Sequence, residues 1–313
     1  MNRAFPFKIV RRSTIRKAVG ECADAFLDRF NTHSSAAPAC PIGRADETVG
    51  QVGRADRRRL QRSDCQITRE CLLPFGILEK HGPHLPIGTD LLNARYVAEH
   101  AAEEEYAIIF PEYFAGQIFE AKHEPGTIAY SPELQSRLLQ ETTDEMARNG
   151  CKKVVIVNAH GGNEYLLPYF AQSQLYKPHD YIVYVQWGHD SGKKAGTEKP
   201  GPDFHAGETE TSRVMVTRPN LVHMDRARSE SGAEQKRVKL PESVFTGIGW
   251  YARFPNHYSG DGTLATQELG QADVGNWIAT VVRAIRAIKA DDESLKLQKE
   301  FYEKSEHPVD TAH

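Results

Sequence analysis

The sequence predicts an α/β protein built on a largely parallel sheet. Short apolar runs alternate with helix-length amphipathic stretches from about residue 71 onward. The run Val154-Val155-Ile156-Val157 is continuously apolar, as expected of a strand covered on both faces. Helix punctuation separates the runs: Ser131-Pro132-Glu133 offers an N-cap, a first-turn proline and an acidic first turn, and Asn149-Gly150 is a stop signal.

Taken in order, the first strand falls over Cys71 to Leu78, although Pro74 argues against a central ladder position there. A helix follows over Leu91 to Glu105, with Asp90 as its expected N-cap. Ala107 to Phe110 is a short strand, and the helix opened by Ser131 runs to Asn149. Val154 to Val157 and Tyr181 to Val185 are further strands. Thr209 to Val216 and Ala272 to Lys289 are helices, the second long and amphipathic. In open parallel sheets, ligands sit beyond the carboxyl ends of the strands. The places to look are therefore just after Ile77, Val157 and Val185.

The chain has 313 residues, enough for one large domain or two small ones. A net charge of -3 gives no electrostatic case for nucleic acid or an anionic membrane. No apolar run approaches the ~20 residues needed to span a bilayer. The basic N-terminus lacks a following apolar segment, and Arg11-Arg12 precedes a stretch too polar for a twin-arginine signal. Five cysteines without CxxC spacing suggest no paired framework and a reduced, cytoplasmic compartment.

The first seventy residues carry 14 Lys+Arg against 8 Asp+Glu, and Asn31 to Gly53 is rich in Ser, Ala, Pro and Gly. Residues 1–68 are expected to be a poorly ordered or lineage-specific extension, with room for a short helix over Thr14 to Phe30. Arg57-Arg58-Arg59 reads as a solvated charge run rather than a nucleic-acid arm. Residues 69–292 form the expected functional domain, and 293–313 a C-terminal tail.

Each expected strand end carries polar residues. After the first comes Glu79-Lys80-His81-Gly82-Pro83-His84-Leu85-Pro86-Ile87-Gly88-Thr89-Asp90. In extended chain, Glu79 and His81 project to the same side, and the Gly/Pro-rich loop can bring Asp90 back to them. Carboxylate, imidazole and carboxylate suit a zinc, manganese or iron site; the competing reading is an exposed polar loop. After the second strand comes Asn158-Ala159-His160-Gly161-Gly162-Asn163. Its glycines allow close backbone approach or a phosphate cradle, but no basic residue follows and a cradle does not explain His160. Trp187 follows the third, and His205-Ala206-Gly207-Glu208-Thr209-Glu210-Thr211-Ser212 enters a helix. Carboxylates there also favour the helix dipole, which weighs more against Glu210 than against Glu208. His205 alone could be a structural histidine.

Together these segments resemble the creatininase (creatinine amidohydrolase) family, in the family's order and at similar spacing, over roughly residues 70 to 290. His123-Glu124-Pro125-Gly126-Thr127-Ile128 resembles a fourth family segment, near the substrate. The resemblance implies a three-layer α/β/α sandwich with a mostly parallel sheet and two divalent metal ions per chain: Zn, Mn or Fe(II). It implies that Glu79, Asp90 and His160 hold one ion. His81, Asp90 and Glu208 hold the other, with Asp90 bridging. His205 matches a proton-shuttle histidine, and Trp187 and His123 match positions near the substrate. Thr89 and Asn163 are expected to orient ligands. Family members form hexamers, so a homo-oligomer is expected.

One departure matters. Creatininase proper has His-Tyr-Glu-Asn where this chain has His160-Gly161-Gly162-Asn163, and that Glu is a ligand there. The Gly-Gly relatives include formamide hydrolases and a peptidase of peptide-cofactor maturation. The expected function is thus metal-dependent hydrolysis of a C–N amide bond in a small molecule, a cyclic amide or formamide, by an activated water. The alternatives are a metal-dependent peptidase and a non-catalytic small-molecule-binding protein on the same fold.

Overall fold

The computed structural model describes residues 70–187, 203–241 and 243–310, with the backbone of Gly50–Gln51. Five strands form one sheet: β1 (Gly50–Gln51), β2 (Glu70–Phe75), β3 (Ile108–Ile109), β4 (Lys153–Asn158) and β5 (Ile182–Trp187). Their order is β1-β3-β2-β4-β5, and every pair is parallel. β1 lies inside the stretch expected to be an extension. Everything else read for residues 1–68, the short helix included, lies outside the described residues, as do Cys22, Cys40 and Cys65.

Seven helices connect and cover the sheet among the described residues: α1 (Thr89–Glu104), α2 (Pro132–Arg148), α3 (Leu166–Ser173), α4 (Glu208–Thr217), α5 (Gly249–Arg253), α6 (Gln267–Ala290) and α7 (Ser294–Glu306). Side-chain alternation along β2 divides them between two faces. Cys71, Leu73 and Phe75 pack with Leu139 and Met146 of α2 and Leu167 and Phe170 of α3. Leu72 packs on the opposite face with Val97 and Ala101 of α1 and Trp277, Val281 and Ile285 of α6. The fold is thus a three-layer α/β/α sandwich. Each fully buried Leu, Ile or Val in these layers contributes about 1.5–3 kcal/mol.

Local departures from expectation have physical reasons. Ser131 caps α2 as expected, its Oγ accepting from Leu134 N at 3.3 Å. Asp90 does not cap α1. The helix starts two residues earlier, at Thr89 after Gly88 and without a side-chain cap, which frees the buried Asp90 carboxylate for other partners. Pro74 does sit in the centre of the sheet, opposite Val157 of β4. The carbonyls of Leu72 and Pro74 face the β3 side, accepting from Phe110 N and Tyr113 N at 2.8 Å each. The missing N–H of Pro74 faces that side too, where β3 has already ended at Ile109. The segment expected as a tail contains α7, whose Gln298 donates to Tyr181 O at 2.8 Å and whose Tyr302 donates to Gln174 O at 2.8 Å.

The cysteine reading is corrected by a disulfide between Cys71 and Cys151. Eighty residues separate them, so no local spacing announces the pair. The parallel register brings the start of β2 beside the turn entering β4, with the two Cα atoms 5.8 Å apart. The cysteines therefore give no support for a reduced compartment. Among the described residues, no helix is long and apolar enough to cross a membrane.

Closing a loop of this length stabilises a fold by about 4 kcal/mol in the chain-entropy model. Reduction, or Cys151→Ser, should therefore lower the melting temperature by several degrees. An unchanged melting curve with and without reductant would contradict the cross-link.

Candidate functional site

The chain leaves three elements at one edge of the sheet and supplies the site from there. Glu79 and His81 follow β2, His160 follows β4, and Asp90 comes from the first turn of α1. Gly76 makes this possible, because a Cβ there would collide with the backbone of Asp90 and Leu91. His205 and Glu210 arrive from the segment entering α4, and His257 from the loop after α5. Glu79, His81, Asp90, His160, His205 and His257 are all buried.

Asp90 stands between two imidazoles. Its Oδ1 lies 3.1 Å from His81 Nε2, and its Oδ2 lies 3.1 Å from His160 Nδ1. Glu79 Oε1 lies 2.7 Å from the same His160 Nδ1. Glu210 Oε2 lies 3.8 Å from both His81 Nε2 and His205 Nδ1. Glu79 Oε1 and Asp90 Oδ2 are buried without a hydrogen-bond donor. Leaving carboxylate oxygens so costs several kcal/mol unless a cation meets them.

The outer nitrogens of three imidazoles are tied to main-chain carbonyls. His81 Nδ1 donates to Glu79 O at 3.3 Å, His160 Nε2 to Gln117 O at 2.9 Å, and His205 Nε2 to Lys80 O at 2.7 Å. The inner nitrogens of His81 and His160 are thereby turned toward Asp90, and that of His205 toward Glu210, with His205 Nε2 also 3.7 Å from Glu79 Oε2. This is the usual outer support of a metal-binding histidine. Among the described residues, three sets of ligand-type atoms lie within 4.8 Å of one another: Glu79, His81 and Asp90; His81, His205 and Glu210; and Glu79, His205 and His257. The donor set is oxygen and nitrogen without sulfur, which fits a hard or borderline divalent ion.

The electrostatics agree with that fit. Burial disfavours charge on His81, but Asp90, Glu79 and Glu210 outweigh it and push the imidazole up to about 10. Burial likewise opposes charge on His160, and Glu79 and Asp90 hold it well above its ordinary value. Burial pushes Glu79 up, but His160, His205 and His257 together outweigh it and hold the carboxyl well below the usual range. The carboxylates thus favour positive charge in the space that the inner nitrogens of His81 and His160 face. His205 is different: burial, reinforced by His81 and His257, pushes it down to about 4 against the pull of Glu79.

The structure brings together Glu79, His81, Asp90, His160 and His205 from among the expected site residues. Glu210, two residues beyond Glu208, also reaches this cluster. It occupies the third position of α4, from which a carboxylate folds back over the helix start, and it accepts from Ala206 N at 2.6 Å. That position was the available signal in the sequence. Glu208, the first residue of the same helix, is buried beside Glu210.

The remaining expected residues lie around this cluster. Asn163 Oδ1 accepts from Gln117 N at 3.1 Å, fixing the segment whose carbonyl holds His160. Gly162 is the glycine the turn needs, since a Cβ would strike His160 Nε2, whereas Gly161 faces open space. Thr89 donates to Pro86 O at 2.7 Å, within the loop that returns Asp90. His123 joins two loops through Pro255 O at 2.7 Å and an edge contact with Tyr251, and touches no ligand in the cluster. Trp187 ends β5 opposite Asn158 and is 38% exposed. His257 and its partner Trp250 went unnoticed in the sequence, because they follow no strand and match no motif.

Residues 61–285 match the family described as Creatininase: Creatinine amidohydrolase. A mycofactocin precursor peptide peptidase of Mycobacterium tuberculosis (strain CDC 1551 / Oshkosh) is 31% identical over 248 residues, covering 76% of this chain and 91% of that protein. A creatinine amidohydrolase of Pseudomonas putida is 25% identical over 244 residues, covering 71% and 87%. A solved creatininase variant of Zn-Zn type superposes with a TM-score of 0.62 at 22% identity, covering 76% of this chain and 97% of that one. With the sandwich and the strand-end cluster in place, these likenesses establish that the chain belongs to the creatininase family of hydrolases.

Proposed function

We propose that the protein is a metal-dependent amidohydrolase with two divalent ions per chain. The observation that carries this is the shared orientation of His81, His160 and His205, each anchored outward on a carbonyl and aimed inward at carboxylates. Glu79, Asp90 and His160 would hold one ion. His81, Asp90 and Glu210 would hold the other, with Asp90 offering one oxygen to each. Zinc, manganese and iron(II) all suit this donor set. Such ions, when bound, activate water and polarise an amide carbonyl.

His205 supplies the proton chemistry. Its proton is committed at Nε2 to Lys80 O, and its Nδ1 faces the cluster. With its basicity lowered by burial, Nδ1 is free to take a proton from the attacking water and return it to the leaving nitrogen. The bond cleaved is a C–N amide bond of a small molecule, a cyclic amide or a formamide. The 31% identity to a peptide peptidase favours a second reading, in which the amide is a peptide bond.

Metal analysis tests the site directly. The purified protein should hold about two ions per chain. Asp90→Ala should lose both, Glu210→Gln about one, and Glu208→Gln neither. Loss with Glu208→Gln and retention with Glu210→Gln would overturn the assignment. His205→Ala should keep its metal and lose about 100-fold or more of its activity on whichever amide, cyclic, formyl or peptidyl, proves to be hydrolysed. Full activity with metal intact would remove His205 from the chemistry.

Chelation exposes a pH effect with a defined sign. The folded His81 lies near 10, above its ordinary 6.5. Its stabilisation is complete below about 6.5 and is lost as pH rises through about 10. The depressed Glu79 acts in the opposite window, losing its contribution only as pH falls below its ordinary 4.5. The melting temperature of chelated protein should therefore fall between pH 7 and 10, and His81→Gln should flatten that slope. A flat wild-type profile would contradict the coupling of His81 to the carboxylates.

A further inference from the structure

His257 breaks the pattern of the other three imidazoles. Its outer nitrogen, Nδ1, accepts a hydrogen bond from the Trp250 indole N–H at 2.9 Å. An indole N–H can only donate, so Nδ1 carries a lone pair and the ring proton resides on Nε2. That proton points at Glu79 Oε2, with which His257 Nε2 is hydrogen-bonded. A nitrogen already holding a proton has no lone pair for a metal. By contrast, His81, His160 and His205 each keep the proton on the outer nitrogen.

The backbone shows that this placement is imposed by the surroundings. His257 has φ +52°, a left-handed conformation uncommon for a residue with a side chain. It is 2% exposed. The ring lies against His205, with centroids 4.3 Å apart, and against Trp250 at 5.8 Å. The two oxygens of Glu79 are consequently different. Oε2 is occupied by His257, and Oε1, without a donor, faces His160 Nδ1.

We propose that His257, locked by Trp250, is a positioning residue and not a ligand: it fixes Glu79 through Oε2 so that only Oε1 is presented to the ion shared with His160 and Asp90. The proposal rests on the dinuclear reading for the identity of the ion, and on the Trp250–His257–Glu79 chain for the rest. It excludes a centre made from Glu79, His205 and His257, although those atoms are close enough to form one.

The test uses the full chain and zinc titrated against a chromophoric chelator. His257→Ala should weaken one of the two binding steps by about 10- to 100-fold, the usual effect of losing such an outer partner. Trp250→Phe, which keeps a ring but removes the N–H, should weaken the same step. His257→Gln, whose amide can both accept from Trp250 and donate to Glu79, should restore most of the affinity. Melting curves identify any variant that fails to fold. Long-range proton–nitrogen NMR, assigned by the signal missing in His257→Gln, reads the tautomer independently. A proton on Nε2 with and without zinc supports the proposal. Loss of that proton on zinc loading, or a His257→Gln as impaired as His257→Ala, overturns it. A wild type that takes up no zinc would sink the dinuclear reading, and the proton on Nε2 would then still decide how His257 holds Glu79.

Discussion

Two carboxylates buried side by side are the constraint on which the rest of this structure depends. Glu79 and Asp90 are 0% and 2% exposed, and one oxygen of each has no hydrogen-bond donor. Negative charge so far from water is tolerated only with positive charge beside it. The protein meets this demand with imidazoles on every side, drawn from the ends of β2 and β4 and from the segments around α4 and α5. The parallel sheet matters because it delivers two of these segments to one edge. The disulfide between Cys71 and Cys151 joins β2 to the turn entering β4.

Proton placement then separates roles that residue type alone cannot. Four histidines surround the carboxylates, three in close contact and His205 at 3.7–3.8 Å, and their outer partners differ. Carbonyl acceptors on His81, His160 and His205 leave the inner nitrogens available. The indole donor on His257 leaves the inner nitrogen protonated. Among the first three, burial away from the closest carboxylate contacts lowers His205 to about 4, while close carboxylates raise His81 to about 10. In the proposed function one residue type would serve as ligand, proton carrier and support, according to what stands behind and in front of each ring.

Much of this was legible in the sequence. Glu79 and His81 two residues apart after an apolar strand, and His160 after the next, are placed by the geometry of parallel sheets. Other features depended on three-dimensional facts that no local pattern encodes. Asp90 looks like a helix cap because a carboxylate before an apolar periodic run usually is one; its tertiary partners override that propensity. Pro74 is admitted to the central strand only because β3 stops short beside it. The approach of Glu210 to His81 and His205 depends on the rotation of α4. The pairing of Cys71 with Cys151 required the register of β2 on β4. His257 comes from a loop far along the chain, and nothing in its neighbours announces a buried ring.

The most direct measurement is X-ray absorption at the metal edge of zinc-loaded protein. A centre bridged by Asp90 should show a first shell of nitrogen and oxygen only, imidazole scattering, and a metal–metal vector at about 3.5–4 Å. An isolated zinc without a metal neighbour, or a first shell containing sulfur, would contradict a dinuclear site built from these carboxylates and imidazoles.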